Sequence, residues 1–241
     1  MQWLNNTTIE MDGYRIILDY AHGGSPLRAD GKTFPMMKAR DFLAQYDMHV
    51  GEEFKRILEL GIYQGGSFVY LDKLYRPEKI SAIELSDVKI AALDQYAADS
   101  AGRAKVHYRT SQDDVEKLTR IIAEDFGGEL DFVVDDASHF YEPTRTAFKT
   151  VFPYIRPGGL YIIEDWSWSF QKDYQHPDHI WSGMNSLANL TLDIMEDMAL
   201  GTMVAEVTIV ECMMKIRRSN APIGGSVLEH EGRRGRPYGL L

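Results

Sequence analysis

The sequence has little of three things that would each point to a particular class of protein. Its 241 residues include a single cysteine, Cys212, so neither an intramolecular disulfide nor a zinc site built from several cysteines can form. No apolar run approaches the ~20 residues that a membrane-spanning helix requires. Basic residues number 26 against 36 acidic ones, and the formal net charge of -10 argues against a broad nucleic-acid-binding surface. We therefore expect neither nucleic acid nor a membrane as a partner.

The N-terminal residues also lack the pattern of a secretory signal. The stretch MQWLNNTTIEMDGYRI has no basic start followed by an apolar core. The composition, 44% hydrophobic and 26% charged, is that of a folded globular protein rather than a disordered one. We expect a cytoplasmic protein with a single domain over residues 1–241. The basic cluster GRRGR at 232–236 is interpreted as part of a solvated tail.

From residue 54 onward, short β-branched or apolar runs alternate with segments of helical character. This alternation is typical of a parallel sheet built from βαβ units. Five strands are predicted, at 56–60, 79–85, 105–110, 130–136 and 159–165, and residues 203–218 are predicted to close the edge of the sheet. The expected fold class is α/β, with a mostly parallel central sheet, helices on both faces and an antiparallel closing edge.

Two stretches do not follow this alternation. Residues 1–50 combine aromatic, glycine and polar residues with an amphipathic segment, and we interpret them as an N-terminal cap. Residues 166–202 begin with WSWSFQKDYQHPDHIW, and long segments of unusual composition are more often functional than accidental. We expect the core at 54–165, an acceptor-site region at 166–202, and closing strands and a basic tail at 203–241.

The first predicted strand ends in a glycine-rich turn, ELGIYQGGS, at residues 59–67. Glycine allows a close backbone approach that a side chain would block. Glu84 ends the second strand 23 residues after Gly61, where an acid can hydrogen-bond both hydroxyls of a ribose. The G-x-G-x-x-G spacing of nicotinamide dinucleotide sites is not present. The pattern therefore predicts a nucleoside cofactor of another kind.

Acidic residues follow the fourth and fifth predicted strands. Asp135 and Asp136 end the fourth, within VVDDASHFYE, and Glu164 and Asp165 end the fifth. Ligands of open α/β sheets bind outside the carboxyl ends of the strands, so these carboxylates should converge. A divalent cation would offset their repulsion, and oxygen ligands favour Mg²⁺, Ca²⁺ or Mn²⁺. The alternative is that two of them are helix caps or ion-pair members, Asp135 above all.

These motifs resemble those of a known enzyme family. ELGIYQGGS followed by AIEL is similar to the first two motifs of class I S-adenosylmethionine-dependent methyltransferases. VVDDASHFYE followed by RPGGLYIIEDW resembles the metal-dependent O-methyltransferases of macrolide-sugar tailoring and of cephalosporin biosynthesis, to which the methylmannose polysaccharide 1-O-methyltransferase is related. The resemblance covers residues 54–166 well and the closing strands loosely. It implies the Rossmann-like class I methyltransferase fold.

The resemblance also implies a set of site residues. It makes Glu84 the ribose contact and assigns S-adenosyl-L-methionine and Mg²⁺, with Mn²⁺ as a substitute, as cofactors. His139 is implied as the general base. The implied metal ligands are Asp136, Glu164 and Asp165. The implied cofactor-binding residues are Glu59, Gly61, Gly65, Ser67, Glu84, Ser111, Gln112, Asp113 and Asp135.

The predicted activity is methyl transfer to a hydroxyl of a small-molecule or oligosaccharide acceptor. A catechol or another phenol is an alternative acceptor, and a non-catalytic S-adenosylmethionine-binding module is an alternative of another class. Aromatic rings stack on sugar faces, so five residues are candidates for lining the acceptor pocket: Trp166, Trp168, His176, His179 and Trp181. The sequence leaves open the acceptor, the hydroxyl methylated and the oligomeric state, a homodimer or higher homo-oligomer among the alternatives.

Overall fold

The computed structural model describes residues 1–21, 26–174, 176–179, 182–201 and 203–229. The chain divides into two compact units, Met1–Ser111 and Gln112–Leu241. None of the helices in the described part of the chain is long and apolar enough to cross a membrane.

The first unit begins with a small sheet inside the predicted N-terminal cap. Its strands are β1 (Gln2–Trp3), β2 (Thr8–Met11), β3 (Tyr14–Leu18) and β4 (Thr33–Met36), in that spatial order. β1, β2 and β3 pair antiparallel, whereas β3 and β4 are parallel. Ile9, Ile16 and Phe34 are fully buried, so the sheet has its own apolar face. Helix α1 (Arg40–Asp47) follows, within the segment predicted to be amphipathic.

Three parallel strands form the rest of the first unit. The elements are β5 (Arg56–Leu60), α2 (Gly66–Tyr75), β6 (Lys79–Ile83), α3 (Ala91–Asp99) and β7 (Ala104–His107). β5 pairs with β6 and β6 with β7, both in parallel. β6 is shorter than the predicted strand 79–85, yet the backbone N–H of Glu84 still donates to the carbonyl of His107 at 3.0 Å. Pairing therefore continues one residue beyond β6, up to the predicted ribose contact.

Helix α2 lies very close to β4. A Cβ placed on Gly66 would lie 2.3 Å from the backbone carbonyl oxygen of Pro35, a distance that real Cβ atoms do not reach. Only a residue without a side chain fits here. The small sheet therefore packs against the start of the helix that follows the glycine turn.

The second unit combines two parallel strands with an antiparallel pair. The elements are α4 (Val115–Phe126), β8 (Leu130–Asp135), α5 (Tyr141–Val151), β9 (Ile155–Glu164), α6 (Ala188–Ala199), β10 (Val204–Ile209) and β11 (Met213–Arg218). Short 3-10 helices occupy Phe152–Tyr154, Trp168–Phe170 and Lys172–Tyr174. Within this unit the strand order is β8-β9-β11-β10, with β8 and β9 parallel and the other pairs antiparallel. The antiparallel closing edge was predicted from residues 203–218.

The local sequences of β8 and α4 explain how these two elements form ahead of the polar residues that follow β8. All six residues of β8 are buried, as expected for a parallel strand covered on both faces. Helix α4 begins at Asp114, whose carboxylate accepts the backbone N–H of Lys117 at 3.0 Å, and ends at Gly127 with a φ of 67°. These caps fix both ends of α4, and three residues, 127–129, join it to β8.

Candidate functional site

The glycine turn after β5 has a left-handed backbone at three positions. Gly61 and Gly65 have φ values of 86° and 83°, and Tyr63, between them, has a φ of 48°. The N–H of Gly65 donates to the carbonyl of Ile62 at 2.6 Å and closes the turn. A Cβ on Gly65 would lie 2.9 Å from the side chain of Leu93. The turn is therefore tight, and a side chain at position 65 would collide with Leu93.

A segment of the N-terminal cap is hydrogen-bonded to this turn. The hydroxyl of Tyr63 donates to Asp19 Oδ2 at 2.8 Å, and the same oxygen accepts the N–H of Leu27 at 3.1 Å. The side-chain oxygen of Gln64 accepts the N–H of Ala29 at 3.1 Å. Burial and the neighbouring Asp19 raise the pKa of Tyr63 to about 12. Sequence reasoning did not single out Asp19, because no local pattern marks an acid that binds 44 residues away.

Glu84 stands directly after β6 and is half-buried. Its carbonyl accepts the N–H of Thr110 at 2.9 Å, and Glu84 Oε1 accepts the N–H of Ser86 at 2.8 Å. The second contact bends the side chain back over its own loop and orients the carboxylate. The other predicted cofactor residues of this unit differ in exposure: Ser111 is half-buried, whereas Glu59 in β5 and Ser67 in α2 are buried.

Three side chains of the second unit form a group that could hold a metal ion. Among the residues that the structure describes, Asp136, His139 and Asp165 place one ligand atom each within 4.8 Å of the others. His139 Nε2 lies 3.8 Å from Asp136 Oδ1 and 3.9 Å from Asp165 Oδ2. The side chains are 25%, 20% and 50% exposed for Asp136, His139 and Asp165. The group is therefore reachable from solvent.

Two members of this group have an unusual backbone. His139 and Asp165 have φ values of 57° and 51°, in the left-handed region that costs a residue with a side chain of order 1 kcal/mol or more. Each conformation is held by a hydrogen bond. The carbonyl of His139 accepts the indole N–H of Trp168 at 2.8 Å, and the N–H of Asp165 donates to the carbonyl of Cys212 at 2.8 Å. Such strain is found where a side chain must be aimed at a ligand.

Glu164 occupies a different position from the other predicted ligands. It is the last residue of β9, lies opposite Met213 of β11 and is 1% exposed. The group described above contains Asp136 and Asp165 but not Glu164. The structure thus brings two of the three predicted ligands together with the predicted base. The assignment of Glu164 as a ligand stays a prediction.

Asp135 points into the core rather than toward this group. It is 2% exposed, and its carboxylate accepts hydrogen bonds from Tyr161 at 3.0 Å and from Gln112 at 3.2 Å. Burial raises the pKa of Asp135 to about 7, although the hydrogen bonds from Tyr161, the backbone of Ala137 and Gln112 favour the charged form. The two adjacent acids of VVDDASHFYE therefore have different environments: Asp135 is internal and Asp136 is open to a ligand. Asp113, another of the predicted cofactor-binding residues, is exposed.

The region predicted to contact the acceptor has mixed environments. The indole N–H of Trp166 donates to the carbonyl of Val210 at 3.0 Å, and Trp168 is 5% exposed. The ring of His179 meets that of Tyr174 edge-on at 5.0 Å, and His176 is exposed. Trp181, like the basic cluster at 232–236, lies outside the described residues. Trp168 therefore acts inside the fold, while the role of the others as acceptor contacts stays a prediction.

The two carboxylates of this group, from Asp136 and Asp165, fit a hard divalent cation. Mg²⁺ is commonly held by one or two carboxylates, with water completing its shell, and two carboxylates stand in this group. Soft metals favour thiolates, and this group contains none. The residues present therefore suit Mg²⁺ or Mn²⁺.

Comparison with known proteins shows which family the chain resembles. A family model described as a methyltransferase domain matches residues 58–166, which include the glycine turn, Glu84 and the Asp136, His139 and Asp165 group. Residues 58–166 are therefore similar to a methyltransferase domain. The resemblance stated from the motifs is thereby confirmed for this part of the chain.

The similar curated proteins are O-methyltransferases by name. The chain is 37% identical over 134 residues to demethylmacrocin O-methyltransferase of Streptomyces fradiae, which covers 52% of this chain and 31% of that protein. It is 32% identical over 146 residues to L-olivosyl-oleandolide 3-O-methyltransferase of Streptomyces antibioticus, covering 56% and 35%. The chain thus spans about a third of the length of these curated relatives.

The fold is shared with a solved methyltransferase. MycE methyltransferase from the mycinamycin biosynthetic pathway, solved in complex with Mg and SAH, superposes with a TM-score of 0.55 over 79% of this chain and 51% of that one, at 23% identity. At that identity the likeness shows the fold alone. The predicted Rossmann-like class I methyltransferase fold is confirmed.

Proposed function

We propose that the protein is an S-adenosylmethionine-dependent, Mg²⁺-dependent O-methyltransferase that methylates a hydroxyl of a sugar or saccharide. The observation that carries the proposal is the group of Asp136, His139 and Asp165 within a methyltransferase domain. A domain that only bound the cofactor would have no use for two acids and a histidine at one place, with His139 and Asp165 held in strained backbone conformations.

The comparisons support both cofactors and the class of acceptor. MycE was solved with Mg and SAH, and the two curated relatives are named for O-methylation of demethylmacrocin and of an L-olivosyl-oleandolide. The chain matches only about a third of the length of those relatives, so the similarity supports a sugar acceptor but does not by itself assign one to this chain.

Glu84 and the turn at Gly61 and Gly65 would hold the cofactor. The Glu84 carboxylate, oriented by the N–H of Ser86, would accept hydrogen bonds from the ribose hydroxyls, as acids at this position of an α/β sheet do. The tight turn would let backbone N–H groups approach the methionine part without obstruction by a side chain.

In this proposal Asp136, Asp165 and Glu164 hold the cation, and His139 handles the proton. When bound, S-adenosylmethionine supplies an electrophilic methyl group and Mg²⁺ makes the acceptor hydroxyl more acidic and orients it. His139 accepts the hydroxyl proton at a ring nitrogen, the oxygen forms a bond to the methyl carbon, and the carbon–sulfur bond breaks. The sulfur keeps the electron pair of that bond, which leaves neutral S-adenosylhomocysteine.

The test is transfer of labelled methyl from S-adenosylmethionine to a panel of deoxysugar-bearing macrolides, free saccharides and catechols. We expect label in a sugar hydroxyl, loss of transfer in EDTA, and recovery with Mg²⁺ or Mn²⁺. Methylation of catechols alone would move the acceptor class to phenols. Full transfer after exhaustive chelation, with metal content checked, would remove the metal from the proposal, and no transfer to any acceptor by cofactor-loaded protein would contradict the activity.

A further inference from the structure

The side chain of Gln112 is buried, and its polar contacts lie within the second unit. It is 4% exposed. Gln112 Nε2 donates to Asp135 Oδ1 at 3.2 Å and to Thr144 Oγ1 at 3.3 Å, while Gln112 Oε1 accepts the N–H of Ser138 at 2.8 Å. Because a backbone N–H only donates and a carboxylate accepts, the amide is fixed in one orientation. Both its donor and its acceptor ends are used inside the protein.

These contacts lie beneath the loop that carries the metal group. Ser138 stands between Asp136 and His139 in the chain, and Ser138 Oγ accepts the N–H of Phe140 at 3.2 Å. One end of the loop is anchored through Asp135, which accepts from Gln112 and from Tyr161. Gln112 therefore holds residues 135 and 138 at once, on either side of Asp136.

This geometry differs from the role that the family resemblance implied for Gln112. A contact to the cofactor requires an amide that is open to a ligand, whereas this amide is buried and hydrogen-bonded to Asp135, Thr144 and Ser138. The sequence position, directly after Ser111, is the same in both interpretations. Only the direction of the side chain separates them.

We propose that Gln112 is a positioning residue that sets the loop 136–139, and with it the carboxylate of Asp136 for binding of the divalent cation and the imidazole of His139 beside it. This inference rests on the proposed function, since it takes the group to be a cation site. Groups that hydrogen-bond to metal ligands without touching the metal change metal affinity by about 10- to 100-fold when they are removed.

The experiment measures two affinities for each variant without any acceptor. Mn²⁺ binding is followed by electron paramagnetic resonance of the free ion, and S-adenosylhomocysteine binding by calorimetry in metal-free buffer. Gln112→Met keeps the volume and removes all three hydrogen bonds, and Gln112→Glu keeps an acceptor for Ser138 but places a negative charge against Asp135. Thr144→Val is the matched control, because it removes the contact of Gln112 to α5 and leaves those to Asp135 and Ser138.

We expect both Gln112 variants to bind Mn²⁺ about tenfold or more weakly, with S-adenosylhomocysteine affinity within about twofold of wild type. Thr144→Val should bind both ligands nearly as wild type does. Loss of S-adenosylhomocysteine affinity with intact Mn²⁺ binding would make Gln112 a cofactor contact and overturn the inference. Loss of both, or of neither, would overturn it too, as a general structural role or no role. A wild-type protein that binds no Mn²⁺ would instead contradict the metal in the proposed function.

Discussion

The indole N–H of Trp168 donates a 2.8 Å hydrogen bond to the backbone carbonyl of His139. Trp168 follows β9 and is 5% exposed, whereas His139 lies in the loop after β8. The bond therefore joins the two places from which Asp136 and Asp165 come. It also explains why His139 can keep a φ of 57°, since its carbonyl has a buried partner in that conformation.

Replacement of Trp168 by phenylalanine should destabilise this arrangement. Trp168→Phe keeps an aromatic ring in the buried space and removes the donor, leaving the His139 carbonyl without its indole partner. We expect the free energy of unfolding to fall by about 1–3 kcal/mol, measured by urea denaturation. Trp166→Phe is the control, because it removes an indole hydrogen bond to Val210 at a half-buried position and should cost less. Equal costs would show that the contact to His139 has no special weight.

His139→Asn tests the proposed base. Asparagine adopts the left-handed backbone more readily than most residues, so the loop at φ 57° should be kept. We expect the variant to fold and to bind S-adenosylhomocysteine as wild type does, yet to lose about two to four orders of magnitude in turnover, as for removal of a positioned general base. Single-turnover kinetics with an acceptor from the panel measures this. Turnover within a few-fold of wild type would give the role to another group.

Glu84→Ala tests the ribose contact. Loss of hydrogen bonds to a charged acceptor costs about 1.5–3 kcal/mol each, so cofactor affinity should fall by at least about tenfold in calorimetry with S-adenosylmethionine. Asp87→Ala is a matched control: it removes an acid of the same loop, exposed and paired with Arg109 at 3.1 Å. We expect little change in the control. The same small effect in both variants would show that Glu84 acts only through its charge or not at all.

The strands of the two units could be predicted largely because they are apolar or β-branched runs bounded by turns. β5 was predicted at its observed bounds, 56–60, and β8 to within one residue. The small sheet of β1 to β4 was not predicted, since its strands are two to five residues long and mix polar with apolar side chains. Tertiary contacts, such as the close approach of Gly66 to Pro35, support strands of this kind beyond what their local sequence does.

The sequence was enough to predict which strand ends carry acidic residues. It was not enough to predict the direction in which each side chain points. The positions of Asp136, His139 and Asp165 followed from their places after β8 and β9. The separate orientations of Asp135 and Asp136, and the buried amide of Gln112, depend on partners such as Tyr161 that lie 23 residues or more away. A short motif has no information about such partners.

Gly66→Ala tests the close approach of α2 to β4. Because the new Cβ would meet backbone at 2.3 Å, one element must move, and overpacking of this kind costs about 1–3 kcal/mol. Gly102→Ala is the control: it has a φ of 79° but no atom within 4 Å of the added Cβ, so it adds backbone strain without a clash. Thermal unfolding of both should show the larger loss for Gly66→Ala. If Gly66→Ala lost less stability than Gly102→Ala, the small sheet would be able to shift away from α2 at little cost.

The acids that hold the cation can be identified by removing their charges one at a time. Asp165→Asn removes one charge from the group of Asp136, His139 and Asp165, and asparagine tolerates the φ of 51° found there. We expect Mn²⁺ affinity to fall by about tenfold or more, since an amide is a weaker ligand for a hard cation than a carboxylate, while S-adenosylhomocysteine affinity stays at the wild-type value.

Glu164→Gln should also weaken Mn²⁺ binding, because a buried carboxylate one residue before Asp165 adds negative potential at the end of β9. Asp178→Asn, an exposed acid beside His176, is the control and should change neither affinity. Unchanged Mn²⁺ binding in Glu164→Gln would remove that residue from the ligand set, and unchanged binding in Asp165→Asn would contradict the cation site itself.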